Sequence, residues 1–488
     1  MKVIKNYLYN AGYQILLMLA PLMTTPYISR VLGAHANGIN TYTNGWVTFF
    51  CLFGQLGINL YGNREIAYCR NDLYQRSATF WEIYLVQVCA SITALSAYLV
   101  AVFLFSSTFK LYFLLQTVYI ITGMLDISWL FMGLEDFKKT VVRNTLVKIV
   151  AIALIFLCIR SPQDLQWYIL LLGLSGLLGS ISLWPYIRGL IKPVKLSHLH
   201  PWRHVYPTLM LFVPAMTTQV YLVVNRLMLG RMSTQAAVAQ FDFGDKMIKL
   251  ALSIVTATGA VMLPHIANKF AEGDIHSINR SMQASFDFCT ALAVPIMFGL
   301  IAIAPKFAPW FLGGEYGPTS QVIAREAPAV LFIAWSGVTG TQYLMPTHRE
   351  KAYTLSVTIG AIINVVVNLI LIARYHVVGA ALTTSISEAV VFLIQLGLIS
   401  SQVQISKLFR GTFKYLLAGL IMYLAVSQLD SIMKMTLTNL AAQVILGAGL
   451  YLTALIIFKA PIIDRVISII KPLINRKLAS KEDHACKH

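Results

Sequence analysis

Charge is scarce in this sequence. Only 12% of its 488 residues are charged and 57% are hydrophobic, whereas a soluble globular domain carries roughly 25% charged residues. That shortage excludes a soluble chain, because no single compact core absorbs so much apolar surface. Acid is scarcer than base: 20 Asp and Glu stand against 38 Lys and Arg, a net charge of +18. The cations lie in short connections between apolar runs, with no aromatic-basic module of the kind that binds bases, so nucleic acid is not the expected partner. The six cysteines, Cys51, Cys69, Cys89, Cys158, Cys289 and Cys486, form no CxxC pair, which leaves neither a disulfide framework nor a zinc site. There is no G-x-x-x-x-G-K-[ST] phosphate loop, so the chain does not itself consume ATP. Long polar loops are missing too. The longest, at 188–204, leaves no external segment that would house a polymerase or ligase active site, and the expectation is that the protein is not an enzyme.

What is present is a succession of apolar runs of about 20 residues, the length that crosses some 30 Å of hydrocarbon as helix. Only helices and closed barrels satisfy their backbone there, and these runs are too continuous for barrel strands. Fourteen runs can be counted: 9–31, 38–62, 79–106, 111–134, 141–159, 165–189, 207–230, 236–266, 284–304, 319–345, 352–373, 378–400, 411–429 and 437–459. The first lacks a small-residue cleavage site and reads as a retained span. The fold class is therefore an all-α polytopic membrane protein. Lys and Arg concentrate in alternate connections, from Lys2 and Lys5 through Arg64, Arg70, Arg76, Lys138, Lys139, Arg143 and the 188–204 stretch to a C-terminal tail ending at Lys487. The richer side is expected to be cytoplasmic. Both termini then lie inside and the span number is even, fourteen or twelve. The 188–204 stretch is either an amphipathic helix on anionic headgroups or a linker; its two prolines favour the linker.

One phrase occurs twice. PLMTT at 21–25 returns as PAMTT at 214–218, in the first and seventh runs, and each copy precedes a polar exit ending in glycine, SRVLG at 29–33 and NRLMLG at 225–230. A proline inside a span removes a backbone hydrogen bond, and nearby hydroxyls can take up freed carbonyls. Pro21, Thr24, Thr25, Pro214, Thr217 and Thr218 are thus expected to form kinked gates. The spacing suggests a duplicated six-span unit. It divides the chain into an N-terminal lobe (1–189), a basic cytoplasmic linker (190–206), a second lobe (207–400), two extra spans (401–459) and a basic tail (460–488). Six spans per unit make the lobes parallel.

Several stretches together resemble a known family. They are PLMTTPYISRVLG (21–33), YGNREIAYCRND (61–72), DISWLFMGLEDFKKTVVRN (126–144), GTQYLMPTHREKAY (340–353), GAIINVVVNLI (360–370) and GAALTTSISEAVV (379–391). They are similar to the polysaccharide-biosynthesis flippases, the Wzx-type lipid-linked oligosaccharide exporters, in the superfamily of the lipid II flippases and MATE-type antiporters. The resemblance implies a V-shaped protein of two six-helix lobes with extra C-terminal helices in the bacterial cytoplasmic membrane. It implies alternating access that carries an undecaprenyl-diphosphate-linked oligosaccharide through a cationic cavity. Its expected partners are that lipid, anionic membrane lipids, and a polysaccharide polymerase and glycosyltransferases. No cofactor is implied, beyond coupling to Na+ or H+. The alternative reading is a cation-coupled small-molecule antiporter of the MATE type. At Asn225-Arg226 the chain departs from the acidic-basic order the family suggests.

Ionisable residues inside spans are costly and usually face a cavity or a partner. Arg30, Arg64 and Arg226 are candidate contacts for a diphosphate, to which guanidinium offers paired donors; Arg231 reads better as snorkelling to the interface. Asp242–Lys246 and Asp245–Lys249 are spaced to pair along one helix, and Lys246 becomes a substrate contact if Asp242 finds another partner. Asp126 and Lys148 sit at similar depth in consecutive spans and are expected to pair. Glu388, Asp126 and Asp242 are the candidates for ion coupling. Asn364 and Asn368 share a helix face and are expected to hold helices together.

Overall fold

The computed structural model describes residues 2–105, 108–272 and 274–465. Among these the regular structure is helix, with no strand. The elements are α1 (Lys2–Gln55), α2 (Ile58–Tyr68), α3 (Leu73–Phe105), α4 (Lys110–Leu125), α5 (Ser128–Gly133), α6 (Phe137–Cys158), α7 (Leu165–Ile181) and α8 (Trp202–Met232). They continue with α9 (Gln235–Ala271), α10 (Ile275–Leu312), α11 (Thr319–Ser336), α12 (Glu350–Ile399), α13 (Ile405–Leu408), α14 (Thr412–Ile432) and α15 (Leu437–Ile457). Every apolar run is built on helix, as a backbone in hydrocarbon requires. Eight helical stretches are long and apolar enough to cross a membrane by length and composition alone.

The two longest helices, α1 with 54 residues and α12 with 50, are each broken where the apolar runs are interrupted. In α1 the backbone leaves helical dihedrals at Gly33 (φ 73°, ψ 175°), and in α12 at His376 (φ 51°, ψ −124°). Positive φ costs glycine little, whereas a side chain there is strained. Each break separates two spans that directly follow one another.

The chain forms two compact units. One comprises residues 1–242, 311–316 and 365–380; the other comprises 243–310, 317–364 and 381–488. The core of the first unit is a set of helix-to-helix seams. Ile28, Leu32, Ala36 and Ile39 of α1 pack with Ile155 of α6 and with Ile159, Leu165 and Ile169. Val47 meets Tyr98, Val102, Phe113 and Ile120. The second unit has an aromatic centre in which Trp335 lies on Phe286, with centroids 5.5 Å apart, and against Phe392 and Phe409. Large apolar side chains such as Leu104, Ile445 and Ile457 face outward, about 70% exposed. On a water-soluble protein such surface would be a liability; in hydrocarbon it is the required exterior.

The 188–204 stretch folds as a linker, with a single short 3₁₀ turn at Leu196–His198. The N-terminal turns of α3 hold it. Arg76 donates to Leu190 O, Ser77 Oγ accepts from Lys192 N, and Trp81 Nε1 donates to Lys192 O. Buried Glu82 accepts from His200 N (2.8 Å) and pairs with Arg203 (2.6 Å) and His204 Nε2 (2.8 Å). A carboxylate only accepts, so His204 carries its proton on Nε2, and Nδ1 accepts from Tyr61 OH at 2.7 Å. Burial lowers the pKa of His204 from its ordinary value, outweighing the pull of Glu82. The neutral ring therefore stabilises the fold fully above the unfolded pKa of about 6.5. That contribution is lost as pH falls through the lower folded value. Thermal unfolding of the detergent-purified protein should show acid destabilisation below about pH 6.5 that His204→Gln weakens. An unchanged pH profile in His204→Gln would exclude His204 as its source.

Candidate functional site

The break in α1 organises the best-defined polar site of the first unit. Where Gly33 leaves the helix, the N–H of Ala34 loses its intrahelical acceptor, and Glu315 Oε2 accepts from it at 2.7 Å. Buried Asn37 donates to Ile28 O (3.1 Å) and Gly33 O (2.8 Å), and Tyr316 OH donates to Gly33 O (3.2 Å). The break is thus capped from the 311–316 segment rather than left to solvent. Arg30 stands one turn before it, exposed, with Nη1 donating to Pro26 O at 3.2 Å.

The proline expected to kink α1 stays within it. Pro21 and Pro26 remain inside helix, and the backbone departs from helical dihedrals at Gly33 instead. Thr24 Oγ1 donates to Ala20 O at 2.9 Å. This is an ordinary back-bond to the carbonyl four residues earlier; the carbonyl that Pro26 frees is that of Leu22. Thr25 is buried beside it. Pro214, Thr217 and Thr218 lie on the helical backbone of α8, and their side chains fall outside the described residues.

The remaining cations differ in their surroundings. Arg64 is about half exposed, pairs with its neighbour Glu65 at 3.1 Å and lies over the Tyr61 ring. Arg226 Nε sits 2.9 Å from Oδ1 of Asp242, which is 1% exposed. Asp242 thus has a tertiary partner, the condition under which Lys246 becomes a candidate substrate contact. Lys246 is exposed, over the Phe243 ring. The Asp245–Lys249 pair forms as its spacing suggests, at 2.6 Å. Asn368 donates to Asn225 at 2.6 Å, both buried, so one asparagine of the pair holds helices together as expected. Arg231 is exposed and lines a cavity of about 290 Å³ with Tyr42, Trp46, Phe50 and Phe109.

The expected Asp126–Lys148 pair does not form among the described residues. Asp126 lies at the break between α4 and α5, where its carboxylate accepts from Ser128 N (2.9 Å) and Ser128 Oγ (3.1 Å) and caps the next helix. Lys148 lies within α6 on a face shared with buried Val141, Ala151 and Ile155. The helix break, invisible to hydropathy, reassigns the carboxylate to a local job.

Sequence reasoning passed over Glu326. It is 2% exposed, in α11 of the second unit. Its signal was an acid inside the apolar run 319–345, masked by the adjacent Arg325. Glu315, in the short turn Gly314–Tyr316, was passed over because its role is set by a distant break. Among the described residues no group of three His, Cys, Asp or Glu side chains is placed to hold a metal ion.

Comparison with known proteins agrees with this picture. Residues 3–270 match the family model described as polysaccharide biosynthesis protein. A protein of Shigella dysenteriae named "Putative O-antigen transporter" is 23% identical over 396 residues, covering 78% of this chain and 95% of that protein. The fold is similar to the structure described as "Lipid II flippase MurJ, inward closed conformation", with a TM-score of 0.76 at 15% identity, over 93% of this chain and 98% of that one. It is less similar to an inward-facing multidrug resistance MATE family transporter of the MOP superfamily, with a TM-score of 0.61 at 12% identity, over 78% and 95% of the two chains.

Proposed function

Because this chain belongs to the polysaccharide biosynthesis protein family, we propose that it is a flippase for an undecaprenyl-diphosphate-linked oligosaccharide, moving it across the cytoplasmic membrane by alternating access. The observation that carries this reading is the similarity to the relative named "Putative O-antigen transporter", over 78% of this chain and 95% of that protein. The proposed working parts are two six-span lobes, 1–189 and 207–400, with both termini cytoplasmic. The exposed cation at the α1 break supports an anionic lipid as cargo. A small-molecule antiporter fits less well, since the MATE structure is the more distant of the two folds. Transport requires no covalent chemistry of the protein. Its natural partners are the glycosyltransferases that build the lipid-linked unit and the polymerase that consumes it.

The test is restoration of surface polysaccharide in a strain lacking its own flippase, with membrane abundance measured in parallel. A charge-assisted hydrogen bond contributes roughly 1.5–3 kcal/mol, so Arg30→Ala should weaken handling of the lipid about ten- to a hundred-fold. Arg30→Lys should recover part of the loss. Arg64→Ala should export nearly normally, because an exposed pair contributes only about 0–1 kcal/mol. Failure of the wild-type protein to restore export at normal abundance would remove the flippase reading. Full export by Arg30→Ala would remove Arg30 from the substrate path.

A further inference from the structure

We infer that the aromatic pocket around Arg231 is a sugar-binding subsite, which holds one pyranose ring of a glycan on the side of the membrane opposite the 188–204 linker. That the glycan is cargo rests on the flippase reading; the pocket itself stands on geometry within the first unit.

The pocket is built on the half of α1 that follows the Gly33 break. Tyr42, Trp46 and Phe50 are four residues apart, so their rings form a row along one helix face. Phe109 at the start of α4, Arg231 in the last turn of α8 and Gln235 in the first turn of α9 join them around a space of about 290 Å³. The row is braced by further aromatic side chains. Tyr42 meets Phe113 edge to face, with centroids 6.1 Å apart, and Phe50 meets Tyr98 in the same way at 5.2 Å. Tyr98 OH donates to Phe113 O at 2.9 Å, which ties α3 to α4. The approach of α8 depends on Gly230, where a Cβ would lie 2.1 Å from Tyr42 Cδ2. The first turn of α9 is held as closely, since a Cβ on Gly38 would lie 1.7 Å from Gln235 O. Packing therefore fixes the walls before any ligand arrives.

Two polar groups of this lining are open. Nε2 of Gln235 donates to Gly230 O at 3.3 Å, which sets the amide, while its Oε1 is buried with no hydrogen-bond partner. Arg231 is exposed and makes no ion pair among the described residues. A buried acceptor left unpaired costs free energy, so the fitting ligand brings a donor. A phosphate brings acceptors only, and a hydrocarbon tail brings neither. A sugar ring brings both: one hydroxyl donates to Gln235 Oε1 and another accepts from the Arg231 guanidinium. Its weakly positive C–H face also suits the negative face of an aromatic ring. Trp46, 38% exposed, offers the broadest such face. The volume lies at the lower end of the roughly 300–1,000 Å³ of small-molecule sites, which suits one ring rather than a chain.

Position along α3 gives the subsite a direction. Ser77 and Trp81, in the first turns of that helix, hold the linker, whereas the pocket touches it at Ala101 and Val102. Residues 77 and 101 are about 36 Å apart along the axis at 1.5 Å per residue, more than the roughly 30 Å of hydrocarbon. With the linker cytoplasmic, the pocket reads the glycan on the far side, after it has crossed.

Saturation-transfer NMR on the detergent-purified full-length protein tests the subsite, because it reports ring C–H protons held against the protein. The probes are methyl glycosides of glucose, galactose, N-acetylglucosamine and glucuronic acid, which assume nothing about transport. At least one should receive saturation on its C–H protons. Its affinity should fall about tenfold in Arg231→Ala and in Gln235→Leu. Trp46→Ala should abolish the transfer, and Trp46→Phe should restore most of it. Arg231→Ala should unfold at the wild-type temperature, because its side chain is exposed and unpaired, so its loss of binding reads the site and not the fold. No transfer to any of the four glycosides, transfer of equal strength in wild type and variants, or transfer removed by adding phosphatidylglycerol to the micelles would each overturn the sugar subsite. The last result would assign the pocket to a lipid headgroup. Variant-sensitive binding in a protein that restores no export would leave the subsite standing and sink the flippase reading alone.

Discussion

Arg226→Ala should be lost from the membrane before its transport can be scored. The substitution leaves Asp242, 1% exposed, without the guanidinium beside it, and breaking one side of a buried ion pair costs about 3–5 kcal/mol. That is a large share of the roughly 5–15 kcal/mol that holds a typical domain folded. Asp242→Asn should be milder, because a neutral amide tolerates burial better than a carboxylate that has lost its guanidinium. The double variant Arg226→Leu/Asp242→Leu should recover most of the stability lost by either single leucine variant, since the two charges then leave together. Thermal unfolding monitored by size-exclusion fluorescence in detergent separates these outcomes. A stable, abundant Arg226→Ala protein that fails only in export would restore Arg226 to the role of substrate cation and refute its structural one.

Gly38→Ala should be the most damaging conservative change in the first unit. A Cβ at this position would sit 1.7 Å from the carbonyl oxygen of Gln235, which is backbone and has no rotamer to yield. The start of α9 would have to move away from α1, and overpacking a tight contact typically costs 1–3 kcal/mol, about the lower bound here. Gly397→Ala in α12 is the matched control, because nothing lies within 4 Å of its added methyl. Alanine there should stabilise by about 0.5–1 kcal/mol through helix propensity alone. If both variants unfold at the wild-type temperature, the close approach of Gly38 to Gln235 does not exist in the protein.

Much of the fold was legible because hydrocarbon reads a sequence locally. A run of apolar residues long enough to cross must be helical whatever its neighbours do, so every run is built on helix. The glycine in SRVLG marked the break in α1 for a similar reason, since positive φ is a property of one residue. The Asp245–Lys249 pair was equally visible, because residues four apart on a helix are neighbours without any tertiary contact. The family was legible in the same way, through short stretches spread in order along the chain.

Partnership between distant residues was not. Hydropathy placed Arg226 and Asp242 on successive spans but could not say that they meet, and it paired Asp126 with Lys148 when a helix break had turned Asp126 towards Ser128. Glu315 is 281 positions from the backbone amide it caps, and α9 comes close to Val322 of α11 only because Gly244 has no side chain. Composition and local spacing determined that this chain is a bundle of membrane helices and which residues carry charge into it. Tertiary packing decided which of those charges are neutralised, capped or left facing an opening. The reason is energetic: a buried charge is tolerable only with a partner in place, and the partner is supplied by whichever helix comes close enough, a property of no single stretch of sequence.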